Sequence, residues 1–153
     1  MPPIYNKPTA DKYDYVIIGG GSGGSGSSRR AASYGKKVAV VEMTPHLGGT
    51  CVNVADLREK LIYHAKGYKL EGLPDAPKFD WSSFKVQRDA YIRKLNGIYH
   101  SNFDKEGVEF HQGFGRLTSR NTVEVTLPDG TNKYTLEADQ NRIATGGYQG
   151  EFG

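Results

Sequence analysis

One cysteine, Cys51, stands in the whole 153-residue chain, so no internal disulfide can form and a reducing compartment is implied. Neither sign of charge is in large excess: 20 Lys and Arg stand against 17 Asp and Glu, a net +3. The signs are mixed throughout, which argues against a nucleic-acid footprint and against a polybasic membrane signal. Long hydrophobic runs are missing too, and the longest present is far too short to span a bilayer. The first ten residues lack the apolar centre of a secretory signal. No clear transit peptide is legible, so the cytoplasm is expected, with the mitochondrion as the alternative. The four histidines (His46, His64, His100, His111) have no metal-ligand spacing, and no metal is expected. What the chain has in quantity is glycine, 20 residues clustered at turns without a repeat period. Its length suffices for one domain with its own core.

The densest glycine cluster, Gly19-Gly-Gly-Ser-Gly-Gly24, directly follows the apolar run Tyr15-Val-Ile-Ile18. Gly19, Gly21 and Gly24 spell G-x-G-x-x-G on a strand-to-helix turn, and Glu42 closes the next apolar run about 20 residues on, the arrangement that dinucleotide binding requires. Gly19 lets the chain turn, Gly21 lets backbone approach a pyrophosphate, and Gly24 lets the helix pack close to the strand. Ser22 and Gly23 then lie at a helix N-terminus, where free N–H groups and the dipole favour phosphate. Glu42 can accept from ribose hydroxyls. The alternative is a flexible glycine linker.

Along the chain, residues 1–12 read as a lead-in and 13–153 as one α/β unit. Strands are predicted at Tyr13–Ile18 and Lys37–Glu42, joined by a helix over Ser22–Tyr34 and forming a right-handed β-α-β with a parallel sheet. The first half of that helix is poor in helix formers, so packing or a ligand must stabilise it. Residues 47–54 read as loop, Ala55–Lys69 as helix and Gly72–Lys78 as a Pro-punctuated loop. Asp80 is a candidate N-cap for a helix to about Phe103. Trp81, Phe84, Tyr91, Leu95 and Ile98 recur there at helical spacing, which predicts core packing. Strands follow at Val108–His111, Gly113–Leu117, Thr122–Leu127 and Lys133–Leu136, with Pro128-Asp-Gly130 turning a hairpin. Arg142–Gly147 looks like a strand running into a glycine turn. The polar stretch Asp139–Arg142 before it predicts either a strand of two or three residues or a lost sheet element. The fold class is a Rossmann-like α/β domain, a parallel sheet with an antiparallel β-meander insertion.

The runs Tyr13–Gly24, Arg29-Arg-Ala-Ala32, Gly48-Gly-Thr-Cys-Val-Asn-Val54, Arg88-Asp-Ala-Tyr91, Leu95-Asn-Gly-Ile-Tyr99 and Ala144-Thr-Gly-Gly147 closely resemble the N-terminal FAD-binding part of the glutathione reductases, within the pyridine nucleotide–disulfide oxidoreductase family. The resemblance implies FAD as cofactor, with NADPH and glutathione as reactants of the intact family and a role in redox homeostasis. It places Gly19, Gly21, Ser22, Gly23 and Gly24 at the FAD pyrophosphate and Glu42 at the adenosine ribose. Gly49, Thr50 and Cys51 fall on the flavin side, Gly115 at adenine, and Thr145 and Gly146 at the closing turn. Ser22, Arg29, Tyr91 and Tyr99 match positions around the glutathione pocket. The alternatives are a solvated helix charge for Arg29 and helix-face packing for the two tyrosines.

Two departures from the family's pattern bear on activity. The redox motif Cys-Val-Asn-Val-Gly-Cys reads Cys51-Val-Asn-Val-Ala-Asp56 here, so Asp56 occupies the place of the second cysteine. The stretch from Cys51 to Phe79 is also shorter than the family's, as an internal deletion would make it. Cys51 alone could form a mixed disulfide but could not resolve it internally. The family continues with an NADPH domain, a central segment and a dimerisation domain carrying its main interface; none is expected within a text that stops at Gly153. Three functions stay open: a glutathione-disulfide reductase of which this is a part, a non-catalytic FAD- or ADP-binding module, and an unstable truncated variant. A plain NAD-binding domain leaves Gly48–Cys51 without a purpose.

Overall fold

The two continuous apolar runs form adjacent parallel strands, β1 (Tyr13–Ile18) and β2 (Val38–Glu42), with Val16 opposite Ala39 and Ile18 opposite Val41. These belong to a computed structural model that describes residues 4–54, 60 and 80–147. Between them runs α1 (Ser22–Ala32), shorter than predicted because Ser33 caps it and Tyr34 N–H turns back to the Ala31 carbonyl. Its first seven residues are all Gly or Ser, so propensity does not explain it. Packing does: Ser25 and Ser28 are buried with hydroxyls bonded to the Gly20 and Ser25 carbonyls, both at 3.0 Å. A Cβ on Gly24 would fall 1.8 Å from the Gly19 carbonyl oxygen, so the small residues are what lets the helix lie on the strand.

Strand β3 (Val108–Gln112) adds parallel to β2, with Phe110 opposite Val40. Then β4 (Phe114–Leu117) and β5 (Thr122–Thr126) pair antiparallel, and β6 (Lys133–Ile143) joins both systems. The order is β3-β2-β1-β6-β5-β4. Residues 133–137 of β6 run antiparallel to β5, and its second half runs parallel to β1, with Ile143 opposite Ile18. This corrects the expectation of a very short or missing final strand. The polar residues Asp139, Gln140 and Arg142 are exposed on an unbroken strand of eleven residues, so no apolar run was needed there. The hairpin turn is held by Asp129, which accepts from Thr131 N–H, Asn132 N–H and the Asn132 amide; these bonds lower its carboxyl pKa to about 2.

Two further sequence expectations are corrected. Residues 47–54 are not all loop, since Gly49–Asn53 make a short helix, α2. The long helix α3 (Trp81–Glu106) starts at Asp80, whose carboxylate accepts from Ser82 N–H, but the face it buries is not the predicted one. Trp81, Tyr91 and Ile98 are exposed, and Phe84 and Leu95 are intermediate, whereas Ile92, Asn96, His100 and Phe103 are buried. Two polar residues in the buried stripe masked it from a search for apolar periodicity. The predicted helix at 55–69 and the loop at 72–78 lie outside the described residues, Lys60 apart. Among the described residues no helix is long and apolar enough to cross a membrane.

The sheet separates two cores. On one face α1 and Phe103 of α3 pack with Ile17, Val38, Val40, Leu47 and Phe110. On the other, Val123, Val125 and Leu136 of the meander close over Val16, Ile18, Ala39 and Val41. Beneath that second face lies a polar cluster that ties the N-terminal segment down. Glu109 accepts from Tyr13 Oη at 2.6 Å and from the Thr9 hydroxyl, and its carboxylate stands 3.4 Å from Nε2 of the fully buried His111. His111 Nδ1 pairs with Tyr134 Oη at 2.8 Å, and Tyr5 N–H donates to the Phe110 carbonyl.

Burial pushes the Glu109 carboxyl up, but the His111, Thr9 and Tyr13 contacts together outweigh it, so its pKa lies below the usual 4.5. A depressed carboxylate stabilises the fold above its unfolded pKa, and that stability is lost as pH falls through the folded value. Thermal unfolding from about pH 7 to about pH 4 should therefore show a steeper fall in Tm for the parent than for Glu109→Gln; parallel curves would remove Glu109 from the account. Gly24→Ala should lower stability by about 1–3 kcal/mol in urea unfolding through overlap with the Gly19 carbonyl, and an unchanged midpoint would contradict the close packing.

Candidate functional site

The carboxyl ends of β1, β2 and β6 converge on one glycine. Gly19 N–H donates to the Val41 carbonyl at 2.7 Å, and Ala144 N–H donates to the Ile18 carbonyl at 2.7 Å. Gly19 has φ +111°, and a Cβ there would sit 2.3 Å from the Ala144 carbonyl oxygen, so the bend requires glycine. Thr145 follows directly, with its nitrogen 3.0 Å from the same point. This is the position outside the strand ends, beside the place where strand order reverses, at which open α/β sheets take ligands.

From this bend α1 begins with Gly21 as N-cap, with no side-chain cap and no acid in its first turn. The first N–H groups of a helix have no partner within it. Ser22 and Gly23 are exposed, and a Cβ on Gly23 would meet nothing within 4 Å. Beside this helix start lies a second. Gly48 N–H donates to the Gly20 carbonyl at 2.9 Å, and α2 begins at Gly49, also without a side-chain cap. A Cβ on Gly49 would lie 2.7 Å from Gly21 Cα, so the two backbones are in direct contact. Thr50 and Cys51 stand exposed on the first turn of α2, Cys51 as a free thiol.

Glu42 anchors the other end. One carboxylate oxygen accepts from Gly20 N–H at 2.8 Å, and the other from Thr44 N–H at 2.9 Å and Thr44 Oγ1 at 3.1 Å. A carboxylate has about four acceptor positions, so one remains for an incoming hydroxyl. Gly115 of β4 lies over the ends of β1 and β2, where a Cβ would stand 3.0 Å from Val41 Cγ1 and 3.1 Å from Ile18 Cγ2. The structure thus gathers Gly19, Gly21, Ser22, Gly23, Gly24, Glu42, Gly49, Thr50, Cys51, Gly115 and Thr145 around the strand ends, with Gly146 next in the chain at φ +75°. The residues fit a dinucleotide: the cradle wall at Gly21 is bare backbone, and no side chain fills the space over Gly23.

Of the residues matched to glutathione, Ser22 lies at that bend, as the first residue of α1, and Arg29, Tyr91 and Tyr99 lie apart from it. Arg29, toward the far end of α1, donates through Nε and Nη2 to both oxygens of Glu106 on α3, at 2.6 to 2.9 Å. The hydrogen bonds raise the guanidinium pKa and lower that of Glu106. Tyr99 packs half-buried against the helix-side core, and Tyr91, on the same helix, is exposed. Asp56 lies outside the described residues. Among those residues no cluster of His, Cys, Asp and Glu could hold a metal.

Several site neighbours escaped the sequence reading. Met43 and Phe114 are both 57% exposed. Gly113 N–H bonds the Glu42 carbonyl at 2.9 Å, which sets the chain at Phe114 beside the chain at Met43. An apolar residue directly after a strand-closing acid was the available signal. Asn53, Asn96 and His100 hold the segment before Gly48, as described below, and carried no signal because lone Asn and His residues on helices are usually solvated.

Comparison with known proteins agrees with this geometry. Residues 13–153 match the pyridine nucleotide-disulphide oxidoreductase family. The chain is 43% identical to the glutathione reductase of Debaryomyces hansenii, over 90% of this chain and 34% of that one. It is 45% identical to that of Yarrowia lipolytica, over 88% and 32%, and 41% identical to that of Schizosaccharomyces pombe, over 92% and 32%. The chain therefore spans about a third of the length of the curated relatives it matches. With the glycine bend, the twin helix starts and Glu42 all in place at the strand ends, the chain belongs to the pyridine nucleotide-disulphide oxidoreductase family.

Proposed function

We propose that the chain binds FAD by its ADP half, in the manner of a glutathione reductase, and that these residues alone do not turn over disulfide. The observation that carries the binding reading is the contact of Gly21 with Gly49, which sets two uncapped helix starts side by side. Backbone N–H groups at Ser22 and Gly23, with Thr50 alongside, would receive the diphosphate. Glu42 would accept from the ribose, and the Gly115 backbone would contact the base, with the apolar surface of Met43 and Phe114 nearby. Thr145 and Gly146 would line the closing turn, and Cys51 would stand toward the flavin. FAD, when bound, supplies a two-electron relay between a nicotinamide and a disulfide.

The second half of the proposal rests on sulfur count. A dithiol centre needs a second thiol to release product, and these 153 residues contain one cysteine. Oxidised glutathione could at most leave a mixed disulfide on Cys51. Recruitment of Arg29, Tyr91 and Tyr99 to a glutathione carboxylate and backbone would also require Arg29 to exchange Glu106 for the substrate. NADPH and glutathione are accordingly assigned to the intact family's reaction, and this chain is read as a flavin-nucleotide module.

Flavin fluorescence titration should show saturable quenching; none at about 100 μM protein (a ΔG° weaker than about −5 kcal/mol) would overturn the binding reading. Gly23→Glu places a carboxylate in open space at the helix start, where it opposes a diphosphate yet suits the dipole. FAD affinity should drop about tenfold or more while Tm holds or rises; parent-like affinity would contradict the assignment of this helix start. NADPH oxidation with oxidised glutathione should stay at the buffer rate, and steady consumption would overturn the sulfur argument.

A further inference from the structure

The segment that delivers α2 to the cradle has three successive carbonyls bonded by side chains. The Pro45 carbonyl accepts from His100 Nε2 at 3.2 Å, and the His46 carbonyl accepts from Asn53 Nδ2 at 3.5 Å. The Leu47 carbonyl accepts from Asn96 Nδ2 at 2.8 Å and from Asn53 Nδ2 at 3.1 Å. Asn96 also donates to Asn53 Oδ1 at 2.9 Å, so both amide hydrogens of Asn96 are used. Asn96 and His100 are 7% and 4% exposed, on the stripe of α3 that otherwise carries Ile92 and Phe103. Polar side chains in such a stripe are costly unless bonded, and apolar residues would serve the core as well.

What the amides hold is one peptide unit. The Leu47 carbonyl and the Gly48 N–H belong to the same plane, and a peptide plane is rigid. Asn96 and Asn53 grip its oxygen while the Gly20 carbonyl takes its N–H at 2.9 Å. With that plane fixed at both ends, Gly48 (φ +107°) directs the chain so that Gly49 lands on Gly21. We propose that Asn96 and His100, working with Asn53, are positioning residues for the dinucleotide cradle, clamping the Pro45–Leu47 carbonyls so that the second helix start stays against the first. This rests on the FAD-binding reading of that cradle.

The His100 half of the clamp is sensitive to acid. To donate to Pro45 its Nε2 must carry the proton, which leaves Nδ1 buried and unpartnered. The ring meets Phe110 of β3 edge-on at 5.0 Å, with His46 opposing charge from the clamped loop. Asp104 of its own helix, Glu109 of β3 and Tyr5 of the N-terminal segment share with it the lining of a cavity of about 140 Å³. Burial is the leading influence, and the imidazole pKa lies below 6.5. The neutral ring therefore belongs to the clamped state, and the released state gains protons that the clamped one refuses as pH falls below that value.

The test pairs FAD titration with hydrogen exchange at the Gly48 amide of the ligand-free chain. Asn96→Leu should weaken FAD about tenfold and speed Gly48 exchange by a similar factor. The parent should lose affinity several-fold between about pH 7.5 and about pH 5.5, whereas His100→Gln, which keeps a donor but cannot titrate, should match the parent at the upper pH and stay flat. Parent-like affinity and exchange in Asn96→Leu, or an unchanged acid loss in His100→Gln, would overturn the clamp. Should Asn96→Leu fail to fold, the His100→Gln pH profile decides. If the parent itself does not bind FAD, the cradle reading fails, and the clamp is then judged on exchange alone: faster Gly48 exchange in Asn96→Leu supports it and an unchanged rate overturns it.

Discussion

Two glycine backbones touch where the first strand ends, and the arrangement of the site follows from that contact. A methyl group on Gly49 would come within 2.7 Å of Gly21 Cα, closer than real Cβ atoms approach a neighbour. Any side chain there would part the two helix starts or tilt one away from the strand ends. The bend at Gly19 brings α1 to this point, and the Leu47–Gly48 peptide brings α2. Neither helix start has a side-chain cap, and the first N–H groups of a helix have no partner within it, which suits a diphosphate. The sheet acts as the jig: four adjacent strand ends, at Gln112, Glu42, Ile18 and Ile143, are cross-bonded through Gly113, Gly19 and Ala144.

This design explains why a helix with seven leading Gly and Ser residues is stable enough to carry a site. Gly24 removes bulk where strand and helix meet, and the buried Ser25 and Ser28 hydroxyls bond to nearby carbonyls. On the opposite face the meander supplies Val123, Val125 and Leu136 as a second core, so the parallel strands are covered on both sides. The strand β6 belongs to both systems, antiparallel at its start and parallel at its end. The fold thereby holds the closing turn at Thr145 next to Gly19 although the strand leading to it is polar.

The glycine loop, Glu42 and the β-α-β were legible because their constraints are local: strand, bend and helix start are consecutive in the chain, and each needs a particular residue type. The hairpin at Asp129 was legible for the same reason. The buried face of α3 was not. Its stripe includes Asn96 and His100, whose burial depends on carbonyls about 50 residues away in sequence. The long β6 strand was missed because exposure, not apolar content, accounts for Asp139–Arg142. The short helix at Gly49 was read as loop because its five residues lack any periodicity to detect. Resemblance placed Arg29 beside a substrate, and geometry pairs it with Glu106, a partner 77 residues away that no local pattern reveals.

The central claim is that the twin glycine-lined helix starts receive a diphosphate. The most direct measurement is an amide NMR titration of the chain with ADP, which carries the diphosphate and ribose without the flavin. The account predicts that the largest shifts fall on Ser22, Gly23, Gly49 and Thr50, with smaller ones at Thr44 and Gly115. Shifts confined to other surfaces, or none at these amides at saturating ADP, would contradict it.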